Sequence, residues 1–329
     1  MDSGNLAWAV TATALVLFMT PGVAFFYGGL VKAKSVVSMM MMSFGALGLV
    51  SVLWILYGFN MSTVTDVMQF SGNPFSDFGM GSVGDNSLVG ATYGATFAII
   101  TVALISGAIA DRAKFGAWMI FAGVWATVVY FPVAAWVWGG GWVMKLGETF
   151  GFSTSVIDYA GGTAVHINAG AAALALALVL GKRIGFQKGI TKPHNVPLVM
   201  LGAAILWFGW FGFNAGAQGT AGLLGAEDSS VGLIIINTLG ATAAAIIGWL
   251  VVEKLKDGKA TSVGAASGAV AGLVAITPAC ANLTPGWALL LGVLTGAVCA
   301  LAIELKWKLG YDDSLDVVGI HLVGGLIGT

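Results

Sequence analysis

Long apolar runs separated by short polar segments dominate the chain. The runs cover residues 6–31, 36–59, 88–110, 115–138, 159–181, 196–215, 231–252, 262–277, 286–305 and 315–329. Most of them approach the roughly 20 residues that a helix needs to cross a bilayer. The pattern therefore predicts an all-α polytopic membrane protein with about ten transmembrane helices.

Almost all of the basic residues follow every second apolar run. Thirteen of the 14 Lys and Arg residues follow odd-numbered runs and so fall on one side of the membrane, with Lys145 opposite. The loop 60–87 carries acidic residues and no Lys or Arg, as an external loop should. By the positive-inside rule the basic side is cytoplasmic. We therefore expect the N-terminus outside.

The last run is short for a complete span. Residues 315–329 would form about 22 Å of helix, against a hydrocarbon core about 30 Å thick. We expect the tenth helix to be incomplete, with a C-terminal part of the fold missing.

Composition narrows the function classes. Hydrophobic residues make up 58% of the 329 positions and charged residues 9%, whereas a soluble domain carries about 25% charged residues. The net charge of −1 offers no basic field for nucleic acid. The chain also lacks His-Glu-x-x-His, Gly-x-Ser-x-Gly and phosphate-loop motifs. The composition excludes a soluble enzyme and a nucleic-acid binder, and the missing phosphate loop argues against ATP-driven pumping by this chain.

Two histidines lie inside apolar runs, where ionisable groups are costly and usually functional. Asp158 precedes His166 by eight residues, and Asp313 precedes His321 by eight. Eight helical residues span about 12 Å, which puts each histidine near the bilayer midplane. Their runs are five apart, so we predict two inverted halves, about 1–185 and 190–329, with a site between them. Each histidine could instead be a satisfied core residue. No third midplane ligand is apparent, so no metal is expected.

Five stretches resemble the ammonium transporter family, the Amt/Mep/Rh superfamily, in its bacterial and archaeal Amt type. They are Asp158–Asn168 (DYAGGTAVHIN), Trp207–Gly216 (WFGWFGFNAG), Asp316–His321 (DVVGIH), Pro132–Gly141 and Gly181–Phe186. The resemblance covers nearly the whole chain. It implies an eleven-helix fold of two inverted five-helix halves, assembled as a trimer with one pore in each subunit. Residues 1–329 would be a single transmembrane domain holding about ten of those helices.

The resemblance also implies roles for individual residues. His166 and His321 look like the family's pore histidine pair, and Phe97 and Phe213 look like the two stacked rings that close the pore from outside.

The remaining implied positions surround the external vestibule. Tyr93 and Trp138 look like its aromatic wall, although Trp138 taken alone would be an interfacial anchor. Asp158 looks like the essential aspartate beside it, and is expected to hold structure rather than to contact the ion. The family often has a serine hydroxyl four residues after the second phenylalanine, where this chain has Ala217. That hydrogen bond is then absent unless Gln218 or a water replaces it.

The function implied is ammonium transport across the plasma membrane, with ammonium recruited outside, deprotonated, and conducted as ammonia. No cofactor and no enzymatic activity are expected. The alternative is an ammonium sensor of the same fold, which the sequence after Thr329 would distinguish. Relatives bind PII-type regulatory proteins on the cytoplasmic side, and Lys188 and Lys192 are candidate contacts for such a partner here.

Overall fold

The structure, a computed structural model, describes residues 3–64, 70–186, 192–220 and 230–329. Within these ranges nine helices are long and apolar enough to cross a membrane. They are α1 (Ser3–Leu30), α2 (Ala33–Met61), α3 (Asp85–Ile109), α4 (Phe115–Val137), α5 (Gly162–Leu180), α6 (Val196–Gln218), α7 (Val231–Asp257), α8 (Ser262–Ala279) and α9 (Pro285–Leu309). A shorter apolar helix, α10, covers Val318–Gly328. The predicted all-α polytopic fold is confirmed.

The helix ends differ from the predicted ends where charged residues extend a helix beyond its apolar part. The predicted end of α7 was residue 252, but the helix continues to Asp257 and stops at Gly258, whose φ is +79°. Lys and Glu are good helix formers, so a charge marks the edge of the apolar run without ending the helix. Glycine ends α7 because it adopts the left-handed conformation at little cost.

The packing of the helices repeats with an offset of five. Helix α1 packs along α6, α2 packs against α4 as α7 does against α9, and α1 contacts α3 as α6 contacts α8. The pair α5 and α10 crosses at the centre, where Gly162 approaches Gly325 and Gly170 approaches Leu322. Since the contacts advance in opposite directions along the two helices, α5 and α10 are antiparallel.

The crossing requires a glycine at position 170. A Cβ atom there would lie 2.5 Å from the backbone nitrogen of Leu322. The substitution Gly170→Ala should therefore force α10 away from α5 and lower the free energy of unfolding by about 1–3 kcal/mol, the usual cost of overpacking. Thermal unfolding in detergent would measure this. Gly48→Ala is the matched control, because a Cβ at Gly48 meets nothing within 4 Å, and it should leave stability unchanged or slightly raised.

Candidate functional site

His166 and His321 lie side by side where α5 crosses α10. Their Nδ1 atoms are 3.1 Å apart and their ring centroids 5.2 Å apart, and the side chains are 1% and 3% exposed. A contact of this length needs one Nδ1 as donor and the other as acceptor. Two neutral imidazoles joined in this way leave one Nε2 lone pair and one Nε2–H for other partners. The Nε2 of His166 is buried without a protein partner.

An aspartate before each histidine accepts backbone hydrogen bonds at the start of the helix. Asp158 accepts hydrogen bonds from four successive backbone N–H groups at the start of α5, at 2.6–3.0 Å. Asp313 accepts one from Val318 N at 2.7 Å at the start of α10. Both histidines then fall in π-helical turns, Gly162–Ile167 and Val318–Leu322. π-Helical turns are rare in proteins overall, and those that occur are frequently found at functional sites.

A narrow cavity of about 10 Å³ adjoins the histidine pair. That is close to the smallest volume that accepts one water-sized molecule. Its remaining lining is mainly aliphatic or aromatic: Val23, Phe26, Tyr27, Ile100, Leu104, Leu206, Trp210 and Val270. The hydroxyl of Tyr27 donates to the Leu104 carbonyl at 3.0 Å. The two imidazoles are therefore the polar groups best placed to meet a molecule in this cavity.

Two phenylalanine rings cover the site on the Asp158 side. Phe97 and Phe213 stack with their centroids 4.1 Å apart and their planes 18° apart, and the Phe213 centroid is 6.0 Å from that of His166. Both rings are buried, with Phe213 fully so. The stacked rings thus separate the histidine pair from the residues beyond them.

Tyr93 and Trp138 lie beyond the stacked rings. The Tyr93 ring is 4.7 Å from that of Phe97, and the Trp138 ring meets Phe97 edge-on at 6.0 Å. The indole of Trp138 donates to the Asp158 carbonyl at 2.8 Å, and its side chain is 37% exposed. The structure thus brings five predicted residues into one series of ring contacts: Trp138, Tyr93, Phe97, Phe213 and His166. Ala217 lies one helical turn after Phe213 on α6.

The sequence reasoning missed Trp210, although it stands three residues before Phe213 and hence on the same helix face. Its ring stacks on His166, with centroids 5.3 Å apart and planes 16° apart. Its indole donates to Thr277 Oγ1 at 2.8 Å, and that hydroxyl lies 2.7 Å from the Leu273 carbonyl and 3.2 Å from Asn214 Oδ1. Thr277 therefore holds the ring that supports His166.

Replacing Thr277 with valine tests this support. Thr277→Val keeps the shape of the side chain but leaves the buried indole N–H of Trp210 unpaired, which should cost about 1–3 kcal/mol. We expect a lower melting temperature for Thr277→Val and a near-normal one for Thr277→Ser, which keeps the hydroxyl. Equal stability of the two variants would show that the contact does not hold the ring.

A partly buried ion cluster lies at the opposite end of the molecule. Arg183 forms a two-pronged contact with Asp312, with Nη2 and Oδ1 2.8 Å apart, and Arg112 binds the Asp312 and Gly181 carbonyls. Burial raises the pKa of Asp312, but the hydrogen bonds and charges of the two arginines outweigh this and hold that pKa below its usual value. The neighbouring Asp313 is also buried, and burial raises its pKa to about 6. Basic residues from several odd-numbered helix ends thus meet at this end, as their spacing predicted.

The described residues contain no group of three or more His, Cys, Asp or Glu side chains that could hold a metal ion. Of the two lysines suggested as contacts for a regulatory protein, Lys192 is exposed. Lys188 lies outside the described residues.

Comparison with known proteins identifies the group to which the chain is related. Residues 7–329 match the model of the Ammonium Transporter Family. The chain belongs to the ammonium transporter family. An ammonium transporter of Mycobacterium tuberculosis H37Rv is 54% identical, with all of this chain and 72% of that protein aligned. Ammonium transporter Amt1 of Archaeoglobus fulgidus is 42% identical, with coverage of 100% and 80%.

Solved structures of family members share the fold. The crystal structure of Candida albicans Mep2 superposes with a TM-score of 0.87 at 34% identity, covering all of this chain and 72% of Mep2. A sensor Amt protein superposes with a TM-score of 0.88 at 28% identity, covering 98% of this chain and 80% of that protein. The ammonium transporter family thus includes proteins described as transporters and one described as a sensor, and this chain is a multi-pass membrane protein of that fold.

Proposed function

We propose that this protein transports ammonium by deprotonating it and conducting ammonia past the two histidines. The observation that carries the proposal is the hydrogen-bonded pair His166–His321 beside an apolar cavity of about 10 Å³, covered by two stacked phenylalanine rings. The Asp158 end is external in this proposal, and the end with the ion cluster is cytoplasmic, as the basic residues predict.

Recruitment takes place at the aromatic rings of Trp138 and Tyr93. A cation over an aromatic face gains roughly 0.5–2 kcal/mol. Two such faces attract ammonium from water without binding it so tightly that release becomes slow. Trp138 suits this role because its ring is partly exposed while its indole is anchored to the Asp158 carbonyl.

The dry section beyond the phenylalanine rings favours the neutral species. Moving a bare cation from water into a medium of low dielectric costs on the order of 20 kcal/mol in the idealised estimate, whereas a neutral hydrogen-bonding molecule costs only a few kcal/mol. Ammonium can give up one proton and cross as ammonia. In this proposal the proton crosses separately, along a water path or by way of the histidines themselves, and it is this proton that carries the current. Potassium has no proton to lose, and this difference supplies the selectivity.

The histidine pair gives ammonia hydrogen-bonding partners within the apolar passage. Ammonia donates and accepts hydrogen bonds, and the joined imidazoles present one donor and one acceptor. The unpaired Nε2 of His166 is available for such a contact. Ammonia therefore keeps a hydrogen-bonding partner while it passes through the narrowest part of the path.

The proposal also covers the organisation of the chain, its assembly and its regulation. We propose that residues 1–329 form one transmembrane domain of two inverted halves, because the Asp–His spacing, the π-helical turns and the packing neighbours recur after five helices. We also propose a homotrimer in the plasma membrane with the N-terminus outside, and regulation by a PII-type protein on the cytoplasmic side. The orientation rests on the positions of the basic residues, whereas the trimer, the plasma membrane and the PII-type partner rest on family membership. No enzymatic step is proposed.

The test is a current measurement on a solid-supported membrane carrying proteoliposomes of the purified chain. A pulse of ammonium should give a transient current that saturates with concentration, and an equal pulse of potassium should give none. Stopped-flow measurement of internal pH detects electroneutral passage of ammonia in the same vesicles. Equal responses to ammonium and potassium would contradict selective transport of ammonium. A lack of response to either cation, in both the current and the internal-pH measurement, would contradict transport altogether.

The similarity to a sensor Amt protein supplies the competing outcome. A sensor of this fold would bind ammonium without conducting it. An ammonium-induced rise in melting temperature, together with no current and no change in internal pH, would favour the sensor.

A further inference from the structure

A polar pair stands beside Ala217, at the position where the resemblance leads one to expect a serine hydroxyl. The Tyr159 hydroxyl donates a hydrogen bond to Gln218 Oε1 at 2.5 Å. Tyr159 precedes α5 and Gln218 ends α6, so the contact joins segments 59 residues apart. Gln218 is 4% exposed, whereas Tyr159 is partly exposed.

The pair belongs to the same end of the path as the aromatic residues. Tyr159 directly follows Asp158, whose carbonyl holds the Trp138 indole. The Tyr93 hydroxyl donates to the Phe213 carbonyl at 2.6 Å, and a Cβ atom at Gly216, two residues before Gln218, would lie 3.0 Å from that hydroxyl. Gln218 is the residue after Ala217. The phenol oxygen of Tyr159 thus lies in the neighbourhood from which ammonium would approach the phenylalanine rings.

The direction of the hydrogen bond decides what the phenol can offer. A tyrosine hydroxyl has one hydrogen and can both donate and accept. Because Gln218 takes that hydrogen, the phenol oxygen presents its lone pairs to other donors, and within the described part of the chain no protein donor is directed at it. Ammonium carries four N–H donors and no acceptor. An oxygen acceptor such as this one can replace part of the hydration that ammonium loses when it leaves bulk water.

We propose that the Tyr159 phenol oxygen accepts a hydrogen bond from external ammonium, and that Gln218 is the positioning residue that fixes the hydroxyl in this orientation. The inference rests on the proposed function and extends it to a recruitment contact that Ala217 cannot make through its side chain. Hydrogen bonds to a charged group are about twice as strong as neutral ones, so this contact contributes to the apparent affinity alongside the aromatic faces.

Tyr159→Phe removes the oxygen and keeps the ring. We expect the half-saturating ammonium concentration of the current to rise about tenfold, which corresponds to about 1.4 kcal/mol. The current at saturating ammonium should stay within about twofold of the original, since the histidine pair and the phenylalanine rings are untouched. An unchanged half-saturating concentration would overturn the inference.

Gln218 is tested by substitutions that differ in their ability to accept the phenol hydrogen. Gln218→Leu should raise the half-saturating concentration about threefold, because the hydroxyl can then turn. Gln218→Glu keeps an acceptor for the phenol hydrogen, so the half-saturating ammonium concentration should stay at that of the unaltered chain or fall below it. A merely structural role would instead reduce the melting temperature and the saturating current of both variants together. That result would overturn the assignment of Gln218.

Two further variants separate this contact from general effects. Tyr57→Phe removes a similar hydrogen bond, from a phenol to Thr127 Oγ1 at 2.9 Å, away from the path, and should leave the half-saturating concentration unchanged. Adding Ala217→Ser to Tyr159→Phe supplies a new hydroxyl and should recover part of the lost affinity. A shift with Tyr57→Phe equal to that with Tyr159→Phe would overturn the inference.

Two comparisons distinguish failure of this inference from failure of the proposed transport function. Trp138→Leu should weaken recruitment through the aromatic face alone. If Trp138→Leu raises the half-saturating concentration and Tyr159→Phe does not, the inference fails while recruitment at the aromatic rings stands. If the unaltered chain carries no flux, the ammonium-induced rise in melting temperature still measures binding. A rise equal in the unaltered chain and in Tyr159→Phe would then overturn the inference.

Discussion

Replacing both pore histidines with leucine should reduce the ammonium current at least about a hundredfold. Each lost hydrogen-bonding partner in the dry passage costs on the order of 1–3 kcal/mol, and each 1.4 kcal/mol is about a factor of ten. The double variant His166→Leu/His321→Leu removes the two polar groups best placed to form hydrogen bonds with ammonia in the cavity. Solid-supported membrane currents and stopped-flow pH measurements would both report the loss.

The third histidine supplies the control for this experiment. His194 is exposed, and its Nδ1 lies 2.9 Å from the Val31 carbonyl, away from the cavity. His194→Leu should leave the current unchanged. Unaltered, ammonium-selective flux through the double variant would contradict the role proposed for the pair, whatever the effect on stability.

Most of the fold could be predicted because the membrane leaves few choices for the backbone. A spanning segment must satisfy its own hydrogen bonds, so an apolar run of about 20 residues forms a helix. All ten predicted runs correspond to helices, with ends that differ by a few residues. The largest errors fall where charged helix-forming residues continue past the apolar part, at the ends of α7 and α9.

The juxtaposition of His166 and His321 could be anticipated from the matched spacing after two aspartates. The spacing gives their depth but not the direction of their rings. The π-helical turns that hold both histidines leave no mark in the hydrophobic pattern, because an inserted residue in a π turn is as apolar as its neighbours. The close approach of the two rings therefore required the three-dimensional structure.

Contacts between distant segments lay beyond the sequence for a different reason. Trp210 and Thr277 are 67 positions apart, and Tyr159 and Gln218 are 59 apart. Each is an ordinary residue in an apolar run or at its edge, and only the packing of α6 against α8 and against the segment before α5 brings the partners together. Gln218 was named because it follows Ala217, while its partner Tyr159 was not.

The substitution Asp158→Ala should have the largest effect on stability of any single change at the site. The Asp158 carboxylate accepts hydrogen bonds from the backbone N–H groups of Gly161, Gly162, Thr163 and Ala164. Alanine leaves these donors without their partner at the start of α5, and an unsatisfied buried group costs about 1–3 kcal/mol. The sum is comparable to the whole stability of a typical domain, about 5–15 kcal/mol. We expect very low yield of folded protein and, where any is recovered, a melting temperature far below the original.

Asp158→Asn separates a structural role from contact with the ion. Asparagine keeps one acceptor oxygen for two of the four N–H groups but turns an NH₂ group towards the other two, so an intermediate loss of stability is expected if Asp158 holds the start of α5. Asp77→Ala is the control, because its carboxylate also accepts backbone and hydroxyl hydrogen bonds, from Ser82, but in an exposed loop. Water replaces those partners, and little stability should be lost. A normal melting temperature for Asp158→Asn combined with loss of ammonium current would indicate instead that the carboxylate acts on the ion.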